Sequence, residues 1–124
     1  MRTLIIAIAA LFALPSTGWA TDDYENYRSL VYQGYCLDAF KQEPTAMAGM
    51  CLGFVDGVRQ EMEIRVASSA DKKQFLFCPP HEVTNGEMIK VWMKALDNHP
   101  EQLHEFAIVT FTQAMMAVYP CPAQ

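Results

Sequence analysis

Apolar residues recur at helical spacing in four stretches of the chain, and no stretch alternates clearly enough to predict a strand. The first predicted helix covers residues 24–40, and the apolar positions near helical spacing are Tyr27, Leu30, Val31, Gly34 and Leu37. Polar faces on the same stretch come from Arg28, Gln33 and Asp38. A break follows at Glu43-Pro44, because a residue that precedes proline disfavours the α-helical region.

The second predicted helix is capped by Thr45 and runs to about Val66. Its apolar stripe consists of Met47, Met50, Cys51, Phe54, Val55, Val58 and Met62. Gly49, Gly53 and Gly57 repeat every four residues on an adjoining face, and each costs about 1 kcal/mol of helix propensity relative to alanine. We therefore expect a neighbouring element to pack unusually close to them. A membrane-spanning version is excluded by the charged residues Asp56, Arg59, Glu61, Glu63 and Arg65.

Two further helices are predicted to meet at His99-Pro100, since proline fits the first turn of a helix. Thr84 and Glu87 form a capping box at the start of the third helix. Its predicted buried residues are Met88, Val91, Trp92, Ala95 and Leu96, and its predicted outer residues are Lys90, Lys94 and Asp97. The predicted buried residues of the fourth helix are Leu103, Ala107, Phe111, Ala114, Met115 and Val118. The apolar residues off that stripe belong either deep in the fold or in a subunit interface; they are Ile108, Val109 and Met116.

The four cysteines allow three pairings, and the helix plan favours one of them. Cys78 lies 21 residues before His99 and Cys121 lies 22 after it, so an antiparallel hairpin brings both sulfurs to its open end. Cys36 and Cys51 are likewise symmetric about the Glu43-Pro44 turn. We therefore predict the disulfides Cys36–Cys51 and Cys78–Cys121. The predicted fold is all-α: a small four-helix bundle of two antiparallel helical hairpins, each stapled by a disulfide.

Residues 1–20 have the pattern of a secretory signal peptide, with an apolar run over 4–14 after Arg2 and a small-residue exit at Ala20. The alternative is an uncleaved anchor. Cleavage leaves one predicted domain, residues 21–124, and changes the formal charge from −5 to −6, because Arg2 is lost. An acidic domain does not suit nucleic acid and is drawn towards basic partner surfaces. Export favours disulfides over zinc or thiol chemistry for the cysteines.

Candidate chemistry is sparse. His99 and His104 are five residues apart, which does not place them on one helical face as a metal pair. Asp56 is the carboxylate with the most apolar neighbours, and a solvated or partner-facing role suits it better than acid catalysis. The methionines fall mostly at core spacings, which argues against copper binding. We therefore predict no cofactor and no enzymatic activity. Residues 67–77 form either a solvated connection whose apolar end, Phe75 to Phe77, tucks onto the core, or a protruding recognition loop.

The order and spacing of several motifs resemble the Tai-type immunity proteins, which protect bacteria against type VI secretion amidases of the fourth Tae family. The resemblance spans the chain from about Leu30 to Pro122. The motifs that carry it are Cys51-x-Gly53-Phe54-Val55-x-Gly57, Phe77-Cys78-x-Pro80-x-x-Val83-Thr84, Pro100-x-x-Leu103-His104-x-x-Ala107 and Tyr119-Pro120-Cys121. Most of these residues belong to the scaffold, so the motifs indicate a fold better than they identify contacts.

The resemblance implies a periplasmic inhibitor that forms a homodimer, binds two amidase molecules and blocks peptidoglycan hydrolysis with a loop and helical surfaces. Polarity and position then suggest the partner-binding residues Ser68, Ser69, Asp71, Lys72, Lys73, Gln74, Glu61, Lys90 and Lys94. A rival hypothesis is a periplasmic stress chaperone that binds unfolded clients through methionine and aromatic surface. A third, a minor cell-wall hydrolase, lacks an evident nucleophile–base pair in the sequence.

Overall fold

The helices lie close to where the apolar periodicity predicts them. The computed structural model describes residues 24–41, 45–68 and 76–122. Within these residues the chain forms no strand and has four α-helices: α1 (Ser29–Asp38), α2 (Ala46–Ser68), α3 (Asn85–Asn98) and α4 (Ala107–Val118). Short 3-10 helices precede α1 and α4, at Tyr24–Tyr27 and Pro100–His104. The all-α prediction is confirmed. The predicted signal peptide, residues 1–20, lies outside the described residues.

Both predicted disulfides are present, and all four cysteines of the chain lie within the described residues. Helix α1 packs against α2, and the Cys36–Cys51 bond joins them with a Cα–Cα distance of 5.1 Å. Helix α3 packs against α4, and the Cys78–Cys121 bond closes this hairpin beyond the helix ends, with a Cα–Cα distance of 4.8 Å. In the loop-entropy account such closures stabilise by roughly 3 and 4 kcal/mol, which is large for a chain of this length.

The first and fourth predicted helices are each interrupted, and the two interruptions pair with each other. Arg28 is extended (φ −77°, ψ 151°), as are Glu105 and Phe106. Arg28 and Phe106 form an isolated antiparallel bridge, and the Ser29 amide donates to the Glu105 carbonyl at 2.9 Å. The Arg28 guanidinium lies 5.7 Å from the Phe106 ring centroid and also donates to the His104 carbonyl. The predictions of continuous helices over 24–40 and from Pro100 onwards are therefore wrong. Contacts between the two interrupted segments compensate for the helical hydrogen bonds that are lost there.

A set of aromatic rings forms the centre of the core. Trp92 packs at 5.3 Å from Phe111 and 5.4 Å from Phe54, and Phe77 meets Phe111 edge-on at 6.0 Å. Edge-to-face pairs of this kind add roughly 0.5–1.5 kcal/mol beyond the area they bury. The Trp92 Nε1 donates to Thr110 Oγ1 at 3.0 Å. The indole ring is therefore buried without leaving its N–H group unpaired.

The buried face of α1 differs from the predicted stripe. The buried residues are Ser29, Tyr32 and Cys36, while Tyr27, Leu30 and Leu37 are each more than half exposed. The Ser29 hydroxyl lies 2.7 Å from Thr110 Oγ1, and Cys36 is bonded to Cys51. These two connections orient the helix, so the more apolar stripe faces outward.

Predictions for the other helices are mostly confirmed, with differences at the margins. On α2, Met47 and Met50 are exposed instead of buried. On α3, Met88, Trp92 and Leu96 are buried as predicted, and Ile89 and Met93 join them, while Val91 and Ala95 are partly buried. On α4 the predicted core is confirmed except that Val118 is exposed and Thr110 is buried; Leu103 precedes the helix and is partly buried. Lys90, Lys94 and Asp97 are exposed as expected.

The predicted helix caps are confirmed. Thr45 Oγ1 accepts from the Ala48 amide at 3.1 Å at the start of α2. Thr84 Oγ1 accepts from the Glu87 amide at 3.2 Å, and the Glu87 carboxylate accepts from the Thr84 amide at 2.7 Å. Two hydrogen bonds from Thr84 lower the pKa of Glu87 below its usual value. The bond from the Thr84 amide has the larger effect, and the bond from its hydroxyl adds to it. None of the described helices combines the length and the apolar character that a bilayer crossing requires.

Candidate partner-binding surface

An open groove lies between α2, α4 and the Leu76–Phe77 dipeptide, and we call it the α2–α4 groove. It encloses about 650 Å³. The lining residues are Gly53, Phe54, Gly57, Val58, Glu61, Met62, Arg65, Leu76, Phe77, Ile108 and Thr112. Most of these side chains are apolar, as is usual for concave binding sites.

Glycines widen this groove along α2. An alanine Cβ placed at Gly49, Gly53 or Gly57 would meet no atom of the described chain within 4 Å outside its own helix. The predicted neighbour packed close to these glycines is therefore wrong within the described monomer. Gly53 and Gly57 instead line the groove, where they leave the helix backbone accessible. Their loss of helix propensity, about 1 kcal/mol each, is not compensated by a described intramolecular contact.

Exposed apolar side chains extend this surface onto α4. Leu76 is 59% exposed and Ile108 is 46% exposed, and both line the groove. Val109 and Met116 are also exposed, so the α4 residues predicted off the buried stripe are not deep in the fold. The other interpretation of these residues, a subunit interface, stays a prediction. Exposed apolar side chains such as Leu76 and Ile108 in the groove are typical of a protein interaction site.

The charged groups of the groove are Glu61 and Arg65, which form an ion pair one helical turn apart. Both side chains are more than half exposed, so the pair contributes little to stability, in the range of 0–1 kcal/mol. The groove thus combines apolar area with exposed charged groups at its edge, an arrangement suited to binding another protein.

Asp56, on the opposite side of α2, has partners within the chain. Its carboxylate accepts hydrogen bonds from Gln60 and, at 3.0 Å, from Asn85 at the start of α3. Arg59 donates to the Val83 carbonyl at 2.7 Å and to Asn85 Oδ1 at 3.3 Å. These bonds hold the entry to α3 against α2, so the structure gives Asp56 an intramolecular structural role.

The predicted partner-binding residues do not lie at one place. Glu61 lines the α2–α4 groove, whereas Lys90 and Lys94 lie on the exposed face of α3 and do not line it. Ser68 is the last residue of α2. The other predicted loop residues fall outside the described part of the chain: Ser69, Asp71, Lys72, Lys73 and Gln74. Sequence reasoning missed Leu76 and Thr112 as groove residues, although it did mark Ile108 as an apolar residue off the buried stripe.

The perturbed titratable groups among the described residues lie away from the groove; one of them is Tyr32 in the core, whose pKa is raised by burial and then by the neighbouring Tyr35. No group of three or more histidine, cysteine or acidic residues in this part of the chain could hold a metal ion. Hydrogen bonds lower the pKa of Asp38, with the bond from Lys41 having the larger effect and that from Thr45 the smaller. The pKa of Glu101 is lowered mainly by a hydrogen bond from its own backbone amide and further by one from His99. Neither carboxylate lines the groove.

A stiff, doubly stapled helical body with an accessible apolar groove has the form of a binding protein. The sequence model of the Rap1a immunity proteins matches residues 27–121, and the chain belongs to this family. No curated protein and no solved structure matches the chain significantly. Family membership makes the chain an immunity protein against a secreted effector, and its partner is accordingly that effector protein. The resemblance to immunity proteins is confirmed at this level.

Proposed function

We propose that this chain is a periplasmic immunity protein that inhibits a type VI secretion peptidoglycan amidase by covering its active-site groove. The observation that carries the proposal is the family match over residues 27–121, together with the motif resemblance to inhibitors of the fourth Tae amidase family. The protein acts by occupying space, so it needs no catalytic group of its own. Its target is a cysteine–histidine hydrolase that cuts between D-glutamate and diaminopimelate.

Inhibition by obstruction requires a body that does not deform when it binds. Two disulfides and the aromatic core around Trp92 provide that stiffness, which reduces the ordering cost of association. The α2–α4 groove is our candidate for the surface that contacts the amidase. A tight complex of this kind buries on the order of 1,600 Å², with a few anchor residues dominating the affinity.

Export to the periplasm is part of the proposal. The apolar run over residues 4–14 supports a signal peptide, and an oxidising compartment allows the two disulfides to form and persist. Peptidoglycan amidases act in the same compartment, so inhibitor and target would meet there.

The proposed assembly is a homodimer that binds two amidase molecules. Exposed apolar side chains on α1 and α4 support a second protein contact beyond the groove; they include Leu30, Leu37, Val109 and Met116. Burial of such residues between two copies would stabilise a dimer by roughly 25 cal/mol per Å² of apolar surface, before the cost of association.

An inhibition titration tests the proposal. A purified type VI secretion amidase of the fourth Tae family is mixed with increasing amounts of the exported protein, and release of cleaved stem peptide from peptidoglycan is measured. We expect hydrolysis to stop near equal molar amounts of the two chains. A control amidase from another effector family should keep its activity under the same conditions. Undiminished hydrolysis at a large excess of the protein would reject the amidase as its target.

A stress chaperone is the second candidate, and the observation that favours it is the exposure of three methionines, Met47, Met50 and Met116. Methionine-rich surfaces adapt to many partners. A chaperone would suppress aggregation of several unrelated denatured proteins at similar concentrations. An immunity protein should protect none of them, while binding its amidase selectively.

A further inference from the structure

The two disulfides hold different kinds of structure. Cys36 and Cys51 are both fully buried and join two helices that already pack together in the core. Cys78 and Cys121 are only partly buried, and each lies in an irregular segment outside the helices. The first bond therefore reinforces contacts that exist without it. The second joins two segments that lie outside the helices and have fewer contacts with the core.

Leu76 and Phe77, the first two residues of the segment 76–83, form the third wall of the α2–α4 groove. Phe77 is buried and rests edge-on against Phe111. The Cys78 amide donates to the Tyr119 carbonyl at 2.8 Å, immediately beyond the end of α4. At its other end, the Val83 carbonyl accepts from Arg59 at 2.7 Å.

The Cys78–Cys121 bond adds a covalent link two residues from Leu76, the most exposed apolar side chain of the groove wall. Without the bond, the wall would rest on the Phe77 contact and on a single hydrogen bond to Tyr119, the residue that caps the end of α4. A surface that is ordered before it meets a partner binds more tightly, because less conformational entropy is lost on association.

We propose that the Cys78–Cys121 disulfide positions the wall of the α2–α4 groove for effector binding, whereas the Cys36–Cys51 disulfide serves the stability of the core. This inference rests on the proposed function only for the identity of the bound protein. The positioning of the wall is a property of the chain alone and is measured separately.

The test compares two double variants with the wild type, each prepared by export so that the remaining disulfide forms. Amide hydrogen exchange is followed by NMR below the melting temperature of every variant. In C78A/C121A we expect the amide at position 78 to exchange about tenfold faster or more, while the Met88 amide in α3 stays protected. In C36A/C51A the amide at position 78 should keep its wild-type rate relative to Met88.

Binding to the amidase used in the inhibition titration is then measured by calorimetry at the same temperature. We expect C78A/C121A to bind about tenfold more weakly and C36A/C51A to bind within about threefold of the wild type. Met115→Ala serves as a further control, because Met115 is buried on α4 and does not line the groove. It should lower the melting temperature without weakening binding, and it replaces C36A/C51A if that variant does not fold.

Three outcomes would overturn the inference. One is unchanged exchange at position 78 in C78A/C121A, and another is unchanged affinity of that variant for an amidase that the wild type binds. The third is loss of the helical circular dichroism signal of C78A/C121A in the cold, which would make the bond a staple of the whole fold. If the wild type binds no amidase, the proposed function fails, and the exchange experiment still decides whether the bond positions the wall.

Discussion

The first and third helices obey the same packing rules, yet their sequences constrain them to different degrees. Helix α3 carries charged residues such as Lys90 and Lys94 on one side and buries Trp92 on the other, as its periodicity predicts. Helix α1 carries large apolar residues on both sides, and it buries the side that holds Ser29, Tyr32 and Cys36. A helix with one apolar side can pack in one orientation, whereas a helix with two needs specific connections to choose between them.

The difference between α1 and α3 also distinguishes residues that stabilise the fold from residues that are available to bind a partner. On α3 nearly every large apolar side chain is used by the core, so little remains for a partner. On α1, and on the groove side of α2, apolar or small residues remain at the surface after the core is complete. These positions are therefore where substitutions should affect association more than folding.

Among the substitutions that compare core and surface positions, Trp92→Ala should have the largest effect on the free energy of unfolding. Removing a fully buried indole leaves a cavity and removes the hydrogen bond from Trp92 to Thr110, and we expect a loss of about 3–5 kcal/mol of unfolding free energy. Leu30→Ala on α1 is the matched change on an exposed residue and should stay within about 0.5 kcal/mol. Urea denaturation measures both. Equal losses from the two variants would show that the outward face of α1 contributes to the core.

The capping box of α3 gives an intermediate, pH-dependent effect. The pKa of Glu87 is lowered in the folded state, so its contribution is present above its usual value of 4.5 and is lost as the pH falls through the lowered value. We expect Thr84→Ala to cost about 1 kcal/mol at neutral pH. Wild type and Glu87→Gln should differ in stability at pH 7 and converge towards acid pH, as thermal unfolding at several pH values would measure. A constant difference down to pH 2 would contradict the role of the charged carboxylate.

Glycine-to-alanine changes on α2 should have the smallest effect on stability. They also distinguish most clearly between effects on stability and effects on amidase binding. Gly57→Ala should stabilise the chain by about 0.5–1 kcal/mol, because nothing described opposes the added methyl group and alanine favours a helix. It should also weaken amidase binding, because the methyl group enters the groove.

Gly49→Ala is the control for this change, since Gly49 has the same open surroundings and does not line the groove. The same gain in stability is expected, with unchanged affinity for the amidase. Loss of affinity in both variants, or in neither, would remove the α2–α4 groove as the contact surface.

Local chemistry in the sequence was enough to determine where most helices begin and how the cysteines pair. Thr45 and Thr84 cap their helices with their own hydroxyl groups, and the cysteines follow from symmetry about the turns. The buried face of α3 was also predictable, because only one side of that helix is apolar. The groove was not, apart from the off-stripe position of Ile108 and the choice of Glu61.

Tertiary structure decided the remaining features, because they depend on groups that are distant in the chain. The interruptions at Arg28 and Glu105 exist because the two segments hydrogen-bond to each other across more than seventy residues, which no local preference encodes. The orientation of α1 depends on Thr110 and Cys51 in other helices. Gly53 and Gly57 of α2 line an open groove because α4 and Leu76 lie beside them without covering them.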